Sequence, residues 1–407
     1  MNPTMDLFEA MIAERTEKLP PEEATSERNR LLDNEALQNY YAQAGKLFVS
    51  IDGQVVDTLA CERVVLEFPC QDSQDRSQRG QVNLARTRNG HIWAFMKGGS
   101  IFHSADGGRH WRWTQGSSHS GGCDFTFTIL DDDTFLVVGT IDNRHAMEVR
   151  RSSDLGRTWQ RTARIDPPAP YVVIGDDTPA MTQLSDGTIL FATQCNEGED
   201  WRHDRGHLVY RSTDAGRTWT AHEITCQIDG ATPRAVRPGT CESQILELAG
   251  GRLLHTVRWN ETDEGSVLGL ADFHKTVCFL DSDDGGLTWK NPRATLDADG
   301  KPVLVYGQCH GQSVQLPDGR IFMVHDHRYP YPQEQTIGRV STDAGVTWDR
   351  RTYHVSLGSG YPSILVLPDG TILTVTGAGH SNERGRPRAS RRLWKLMAIR
   401  WKLPPAP

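Results

Sequence analysis

The chain has 407 residues, a formal net charge of -8, 37% hydrophobic residues and a pI near 6.0. That balance excludes a nucleic-acid surface, which needs a basic stripe, and gives no reason to invoke a membrane partner. The net charge does not exclude an anionic substrate, because the local charge of a cleft need not follow it.

The first segment, with MDLFEAMIAERTEKL from Met5 and ERNRLLDNEALQNYYAQAGKL from Glu27, is charged and helix-prone, and predicts a helical extension over residues 1–45. Its Leu31, Leu32, Leu37, Tyr40 and Tyr41 are suited to dock on the rest of the chain or on another subunit of a homo-oligomer. The first thirty residues hold Asp6, Glu9, Glu14 and Glu17 and no apolar core, so no cleaved signal is read. A cytoplasmic location is therefore expected, with a periplasmic or secreted one open for a chain trimmed at its start. No stretch reaches the roughly 20 apolar residues that span a bilayer.

From Lys46 to the end the sequence alternates apolar runs with turn signals. Strand pairs are read in QVNLART-RNG-HIWAFMK, DFTFTIL-DDD-TFLVVGT, PAMTQL-SDG-TILFATQ, SQILEL-AGG-RLLHTVR, QSVQLP-DGR-IFMVHDH and YPSILVLP-DG-TILTVTGAG. Asn-Gly and Asp-Gly between apolar runs are strong hairpin signals. Behind the first five pairs stands one repeated pattern, Ser-x-Asp-x-Gly-x-x-Trp, starting at Ser104, Ser152, Ser212, Ser282 and Ser341. In each copy the Asp is placed to accept backbone N–H bonds, the Gly to take positive φ, and the Trp to pack beneath the turn. Repeats at this interval predict a radial β array, an all-β six-bladed β-propeller over residues 46–407. The sixth pair has no box behind it, which predicts closure of the last blade by the chain ends, through KLFVSIDG from Lys46 or LMAIRWKL from Leu396.

The eight cysteines, Cys61, Cys70, Cys123, Cys195, Cys226, Cys241, Cys278 and Cys309, show no metal-ligand spacing, so buried thiols are expected and neither metal nor cofactor is. The cluster His325-Asp326-His327 raises metal binding but lacks a third ligand in sequence.

The five boxes on a six-bladed ring resemble the sialidase (neuraminidase) superfamily, known for Asp-box or BNR repeats. In a propeller of this type the first strand of each blade lines the central channel. That placement selects Arg79, Gln81 and Lys97 in the first blade, Cys123 and Asp124 in the second, and Asp176, Asp177 and Gln194 in the third. It selects Glu242 and Arg258 in the fourth, His310, Gln312, His325, His327 and Arg328 in the fifth, and Tyr361 and His380 in the sixth.

The resemblance implies that Tyr361 is the nucleophile, that Glu242 activates it and that Arg258 binds the substrate carboxylate. A carboxylate on the anomeric carbon repels an anionic nucleophile, so a neutral phenol with a neighbouring base suits the task. The pattern departs from the family at the first blade. QRGQVNLARTRNG has no Arg-Ile-Pro motif, with Arg79 one position out of register, and MKGGSIFHSADGG offers no Asp outside its box. The third Arg of a carboxylate clamp is ambiguous between Arg328 and Arg339. His310 or Asp124 would then replace the missing acid, with Arg79, Lys97, Asp177, Arg328, His327 and Gln312 as further substrate contacts.

The leading expectation is an exo-acting glycoside hydrolase on an acidic sugar. Two others stand beside it: a polysaccharide lyase in which a His and Tyr361 act at a uronate while Arg258 or Lys97 neutralises its carboxylate, and a non-catalytic propeller that binds glycans or proteins.

Overall fold

The computed structural model describes residues 19–25, 45–66, 82–97, 99–114, 123–175, 180–198, 205–226, 234–235, 242–259, 276–304, 307–327, 335–357, 361–377 and 396–406. The expected helical extension lies outside the described residues except for Gly45 and 19–25, where a short helical turn covers 21–25. No helix among the described residues is long and apolar enough to cross a membrane.

Two N-terminal strands, β1 (Lys46–Ile51) and β2 (Gln54–Leu66), form a hairpin. A first sheet follows from β3 (Val82–Arg86), β4 (Ile92–Met96), β5 (Ile101–Ser104) and β6 (Arg112–Thr114). The second is built from β7 (Cys123–Ile129), β8 (Phe135–Ile141), β9 (Ala146–Ser152) and β10 (Gln160–Ile165). In the third, β11 (Val173–Ile174) and β12 (Thr182–Gln183) both pair with β13 (Ile189–Asn196), followed by β14 (Arg205–Ser212) and β15 (Thr220–Glu223). After a two-stranded ribbon, β16 (Thr225–Cys226) and β17 (Arg234–Ala235), comes the fourth sheet: β18 (Ser243–Glu247), β19 (Leu253–Trp259), β20 (Thr276–Ser282) and β21 (Lys290–Ala294). The remaining strands are β22 (Gln308–Gln315), β23 (Ile321–His327), β24 (Gln335–Ser341), β25 (Thr352–Leu357), β26 (Ser363–Val366), β27 (Ile372–Gly377) and β28 (Leu396–Trp401).

These last seven strands join β1 and β2 in one nine-stranded sheet, ordered β22-β23-β24-β25-β1-β2-β28-β27-β26. The strand pairs read from the sequence all form as antiparallel hairpins, although PAMTQL contributes only the two paired residues of β12. Both proposed closing strands are used. The C-terminal β28 pairs with β27, and its other edge is covered by the Cys61–Leu66 half of β2, while β1 bridges β2 to β25. The long outer strand β2 was not read from the sequence, because its exposed first half shows no apolar alternation.

The core lies between successive sheets. Phe95 and Phe127 stack across the first and second, Phe125 and Phe191 meet edge-on across the second and third, and Leu190 and Leu253 share a cluster across the third and fourth. Phe279 and Trp348 stack between the fourth sheet and the β22–β25 strands, and Leu373 and Val82 join the last hairpin to the first sheet. Every sheet thus packs on the next, and the last packs on the first, in an all-β, propeller-like arrangement. Each buried Phe or Leu in these seams stabilises it by about 1.5–3 kcal/mol relative to exposure.

The repeated turns hold as expected. In the third copy Ser212 Oγ donates to Asp214 Oδ1 (2.8 Å) and accepts from Gly216 N (2.9 Å), while Asp214 Oδ1 also accepts from the Thr218 N–H (2.8 Å). Those donors hold the Asp214 carboxyl at about 2, against the desolvation that would raise it. Gly216 sits at φ +80°, and Trp219 Nε1 donates to its carbonyl at 3.1 Å. Cys61, Cys195, Cys278 and Cys309 are free thiols, the last three buried.

Candidate functional site

The first strands of the sheets stand side by side, β26 next to β3, β3 next to β7, and β18 next to β22 next to β26. Where β3, β18, β22 and the residues before β26 begin, a small cleft opens, lined by Val82, Glu242, Ser243, His310, Gly311, Gln312, Tyr361 and Pro362. Four expected site residues, Glu242, His310, Gln312 and Tyr361, therefore share one cleft.

Glu242 immediately precedes β18 and is only 5% exposed. The backbone N–H of Arg258 donates to the Glu242 carbonyl at 3.1 Å, and Arg258 Nη1 donates to Glu242 Oε2 at 2.8 Å. The same Oε2 meets His310 Nε2 from the other side. His310 Nδ1 in turn lies 2.9 Å from Oδ2 of Asp326, which is wholly buried on β23. The Tyr361 ring approaches the His310 ring with centroids 3.7 Å apart at 62°.

Local backbone irregularity makes this possible. The β22–β23 register slips between Cys309 and Gln312, a bulge that turns His310 toward Glu242. His310 takes φ +57° and Tyr361 φ +42°, conformations that favour glycine and that non-glycine residues hold mainly where the surroundings over-determine them. A Cβ on the intervening Gly311 would lie 2.7 Å from Thr256 Cγ2, so only glycine fits the close approach of β22 to the fourth sheet.

The chemistry follows from counting protons. An ionised Asp326 would only accept, which calls for a proton on His310 Nδ1, and the contact of Nε2 with Glu242 Oε2 then calls for one further proton between them. Placing it on either atom leaves the Arg258–Glu242–His310–Asp326 chain neutral. A buried, neutral chain with one mobile proton beside a phenol is equipped for general acid–base work. Glu242, Cys309 and His310 offer ligand atoms within 4.8 Å of one another. A metal there would compete for the Oε2 that already takes Arg258 and His310, and would stand close to a guanidinium charge, so proton transfer suits the group better than metal binding.

The other expected residues are placed elsewhere or lie outside the description. Lys97 is buried and absent from the cleft lining. Gln194 Nε2 donates to Asn196 Oδ1 at 2.8 Å. His327 Nδ1 accepts from Gln308 Nε2 at 2.7 Å, and burial and then Arg339 push His327 down to about 4. Burial likewise pushes His325 down to about 3. Both imidazoles are neutral at pH 7 and are no proton donors there. Arg339 is buried at the outer side of its sheet, where it donates to the carbonyl of Arg350 at 3.3 Å. Asp124 lies in β7, but its side chain, with Arg79, Gln81, Asp176, Asp177, Arg328 and His380, lies outside the described residues.

The sequence reading passed over Asp326 in favour of its histidine neighbours. Alternation along β23 sends Asp326 to the face opposite His325 and His327, the face on which it meets His310, and that period was the signal that could have set it apart from its neighbours.

The sequence pattern of the BNR repeat-like domain matches residues 62–375. A sialidase of Bacteroides fragilis is 24% identical over 221 residues, 51% of this chain and 35% of that protein. A sialidase of Micromonospora viridifaciens is 26% identical over 206 residues, 48% of this chain and 31% of its own length. The chain thus spans about a third of the length of these curated relatives. Among solved structures, the α-L-arabinofuranosidase Arb93A of Fusarium graminearum, in complex with an iminosugar inhibitor, superposes with a TM-score of 0.59 at 14% identity, covering 83% of this chain and 97% of that one. Pattern, relatives and fold agree: the chain belongs to the BNR repeat-like domain family, within the sialidase-like β-propeller superfamily.

Proposed function

We propose that the protein is a glycoside hydrolase with a six-bladed sialidase-like propeller, the nine-stranded sheet being two blades bridged by β1, and that it removes a terminal carboxylated sugar from a glycan. The observation that carries this reading is the convergence of Glu242, His310 and Tyr361 on one cleft, with Arg258 bound to Glu242 behind them. The sialidase relatives support it.

In this mechanism Tyr361 Oη attacks the anomeric carbon as the bond to the leaving oxygen breaks, and the phenolic proton passes to the Glu242–His310 pair. The leaving oxygen takes a proton from a general acid, for which Asp124 is the candidate. Water, losing a proton to the Asp124 carboxylate, then displaces Tyr361, which takes its proton back from the Glu242–His310 pair, so the sugar leaves with retained configuration. Arg258, which does not itself line the cleft, holds Glu242 from behind, and the anchoring of the sugar's carboxylate by its remaining donors is part of the proposal.

A second reading, hydrolysis of a neutral pentoside, is favoured by the salt bridge itself. With Nη1 of Arg258 engaged by Glu242, much of its charge is already balanced. The likeness to the Fusarium arabinofuranosidase fits this reading as well.

A panel of fluorogenic glycosides tests both. Release from a sialoside or uronide with retained configuration supports the first reading, and release from an α-L-arabinofuranoside alone supports the second. An unsaturated uronate product, seen by its ultraviolet absorbance, would replace hydrolysis by elimination. Binding of acidic oligosaccharides without turnover would make the propeller a lectin-like module.

A further inference from the structure

We propose that Asp326 is a positioning residue whose carboxylate fixes the His310 imidazole in the tautomer protonated at Nδ1, leaving Nε2 to exchange a proton with Glu242 at the cleft. This rests on the reading of the cleft as the reactive site.

The imidazole is held at both ends, by Asp326 Oδ2 at 2.9 Å from Nδ1 and by Glu242 against Nε2. Asp326 is 0% exposed and His310 5%, so water does not substitute for either contact. A neutral imidazole carries its proton on only one nitrogen, and an acceptor beside one nitrogen decides which. Asp326 itself does not line the cleft, whereas His310 and Glu242 do. It therefore acts through the imidazole rather than on a substrate.

Among the described residues, the titratable groups facing His310 come from four neighbouring elements and from its own strand. Asp326 on β23 and Glu242 ahead of β18 favour the imidazolium, Arg258 on β19 opposes it by drawing charge from Glu242, and the phenol of Tyr361 ahead of β26 and the thiol of the adjacent Cys309 complete the set. Removing the carboxylate at Nδ1 lowers the affinity of the ring for its second proton and frees it to flip its tautomer.

The test is long-range ¹H–¹⁵N correlation on the labelled full chain, with His310 identified by the signal lost in His310→Gln. The wild-type ring is expected to stay protonated at Nδ1 throughout its titration. In Asp326→Asn the Nε2-protonated tautomer appears and the titration midpoint falls by about 1–3 pH units. On whichever glycoside is turned over, kcat falls about 100-fold with KM held, the pH–rate limb moves in the same direction, and Asp326→Glu restores part of the loss.

A wild-type ring unprotonated at Nδ1, or an Asp326→Asn ring that titrates like wild type, overturns the proposal. If Asp326→Asn does not fold, the wild-type tautomer decides alone. If no glycoside is turned over, the hydrolase reading fails while the spectra still decide the role of Asp326.

Discussion

His310 and Tyr361 meet edge to face at a centroid distance of 3.7 Å, each held in a left-handed backbone conformation at the start of a neighbouring inner strand. Two strained residues in mutual contact at one cleft are hard to explain as packing alone, since a glycine at either position would relieve the backbone. The contact therefore gives the first expectation. Tyr361→Phe keeps the ring and its packing on His310 and removes only the hydroxyl. Turnover should fall about 1,000-fold or more while ligand binding and the thermal midpoint stay close to wild type, because the nucleophilic oxygen is lost and little else. Unchanged turnover would remove Tyr361 from the chemistry.

Glu242 and Arg258 are coupled closely enough for a double-mutant cycle to read the coupling. Glu242→Gln alone and Arg258→Gln alone each break a charge pair whose Glu242 end is buried, a situation that costs up to about 3–5 kcal/mol. The double variant should be less destabilised than the sum of the two, by about 1–3 kcal/mol in denaturant titration. Strict additivity would mean that the salt bridge does not hold Glu242 in place.

Much of the scaffold was legible in the sequence, and the site only in part. Asn-Gly and Asp-Gly turns and the Ser212–Asp214–Gly216–Trp219 pattern with its copies are local devices, whose hydrogen bonds close within a few residues, so their spacing was sufficient to place hairpins. Glu242, His310 and Tyr361 were legible because each stands where an inner strand begins. The joining of Asp326 to His310 was not, since it depends on a bulge at Cys309–Gln312 that no local pattern announces. The outer strand β2 was missed for a related reason: its partner β28 lies more than 330 residues away, with Glu62 paired to Arg400.

Gly311→Ala should separate fit from chemistry at the bulge. The added methyl would meet Thr256 Cγ2 at 2.7 Å, Val277 Cγ1 at 3.0 Å and Met323 Sδ at 3.1 Å. Overpacking of this kind destabilises by about 1–3 kcal/mol. Because His310 is the preceding residue, the variant should also lose turnover at temperatures where it remains folded, read by activity and circular dichroism on one sample. Full activity in a destabilised variant would show that the bulge tolerates displacement.

Stability should fall in mild acid. Burial alone depresses His207 to about 3, and burial with the charge of Arg339 does the same to His325. These rings stay neutral in the folded chain, whereas in the unfolded chain they take up protons near their ordinary value of 6.5. Below that value the unfolded state binds more protons, so each ring costs about 1.4 kcal/mol of stability per pH unit until its folded value is reached. The carboxyls of the repeated turns, such as Asp214 at about 2, act in the same direction but only below their ordinary 3.8. Urea titrations should therefore show stability already declining between pH 6.5 and 5, before any turn carboxylate is protonated. A flat profile over that range would mean that the buried rings are not neutral.

Asp284→Ala tests whether the repeated turns serve the scaffold alone. Asp284 Oδ1 accepts from Ser282 Oγ (2.8 Å), Leu287 N (3.1 Å) and Thr288 N (2.9 Å), and all of these partners lie within the turn. Their loss leaves amide donors to be met by water at an exposed turn, so the cost is that of a few partly solvated hydrogen bonds, about 1–2 kcal/mol. The turn follows the far end of β20 from the cleft, because Ser282 pairs with Leu253 while Arg258, beside Glu242, pairs with Val277 at the other end. The expected result is a lower thermal midpoint with kcat and KM unchanged at a temperature where the variant is folded. A change in kcat without a change in stability would instead tie the turn to the cleft through β19 and β20, and the two sets of residues would have to be treated as one unit.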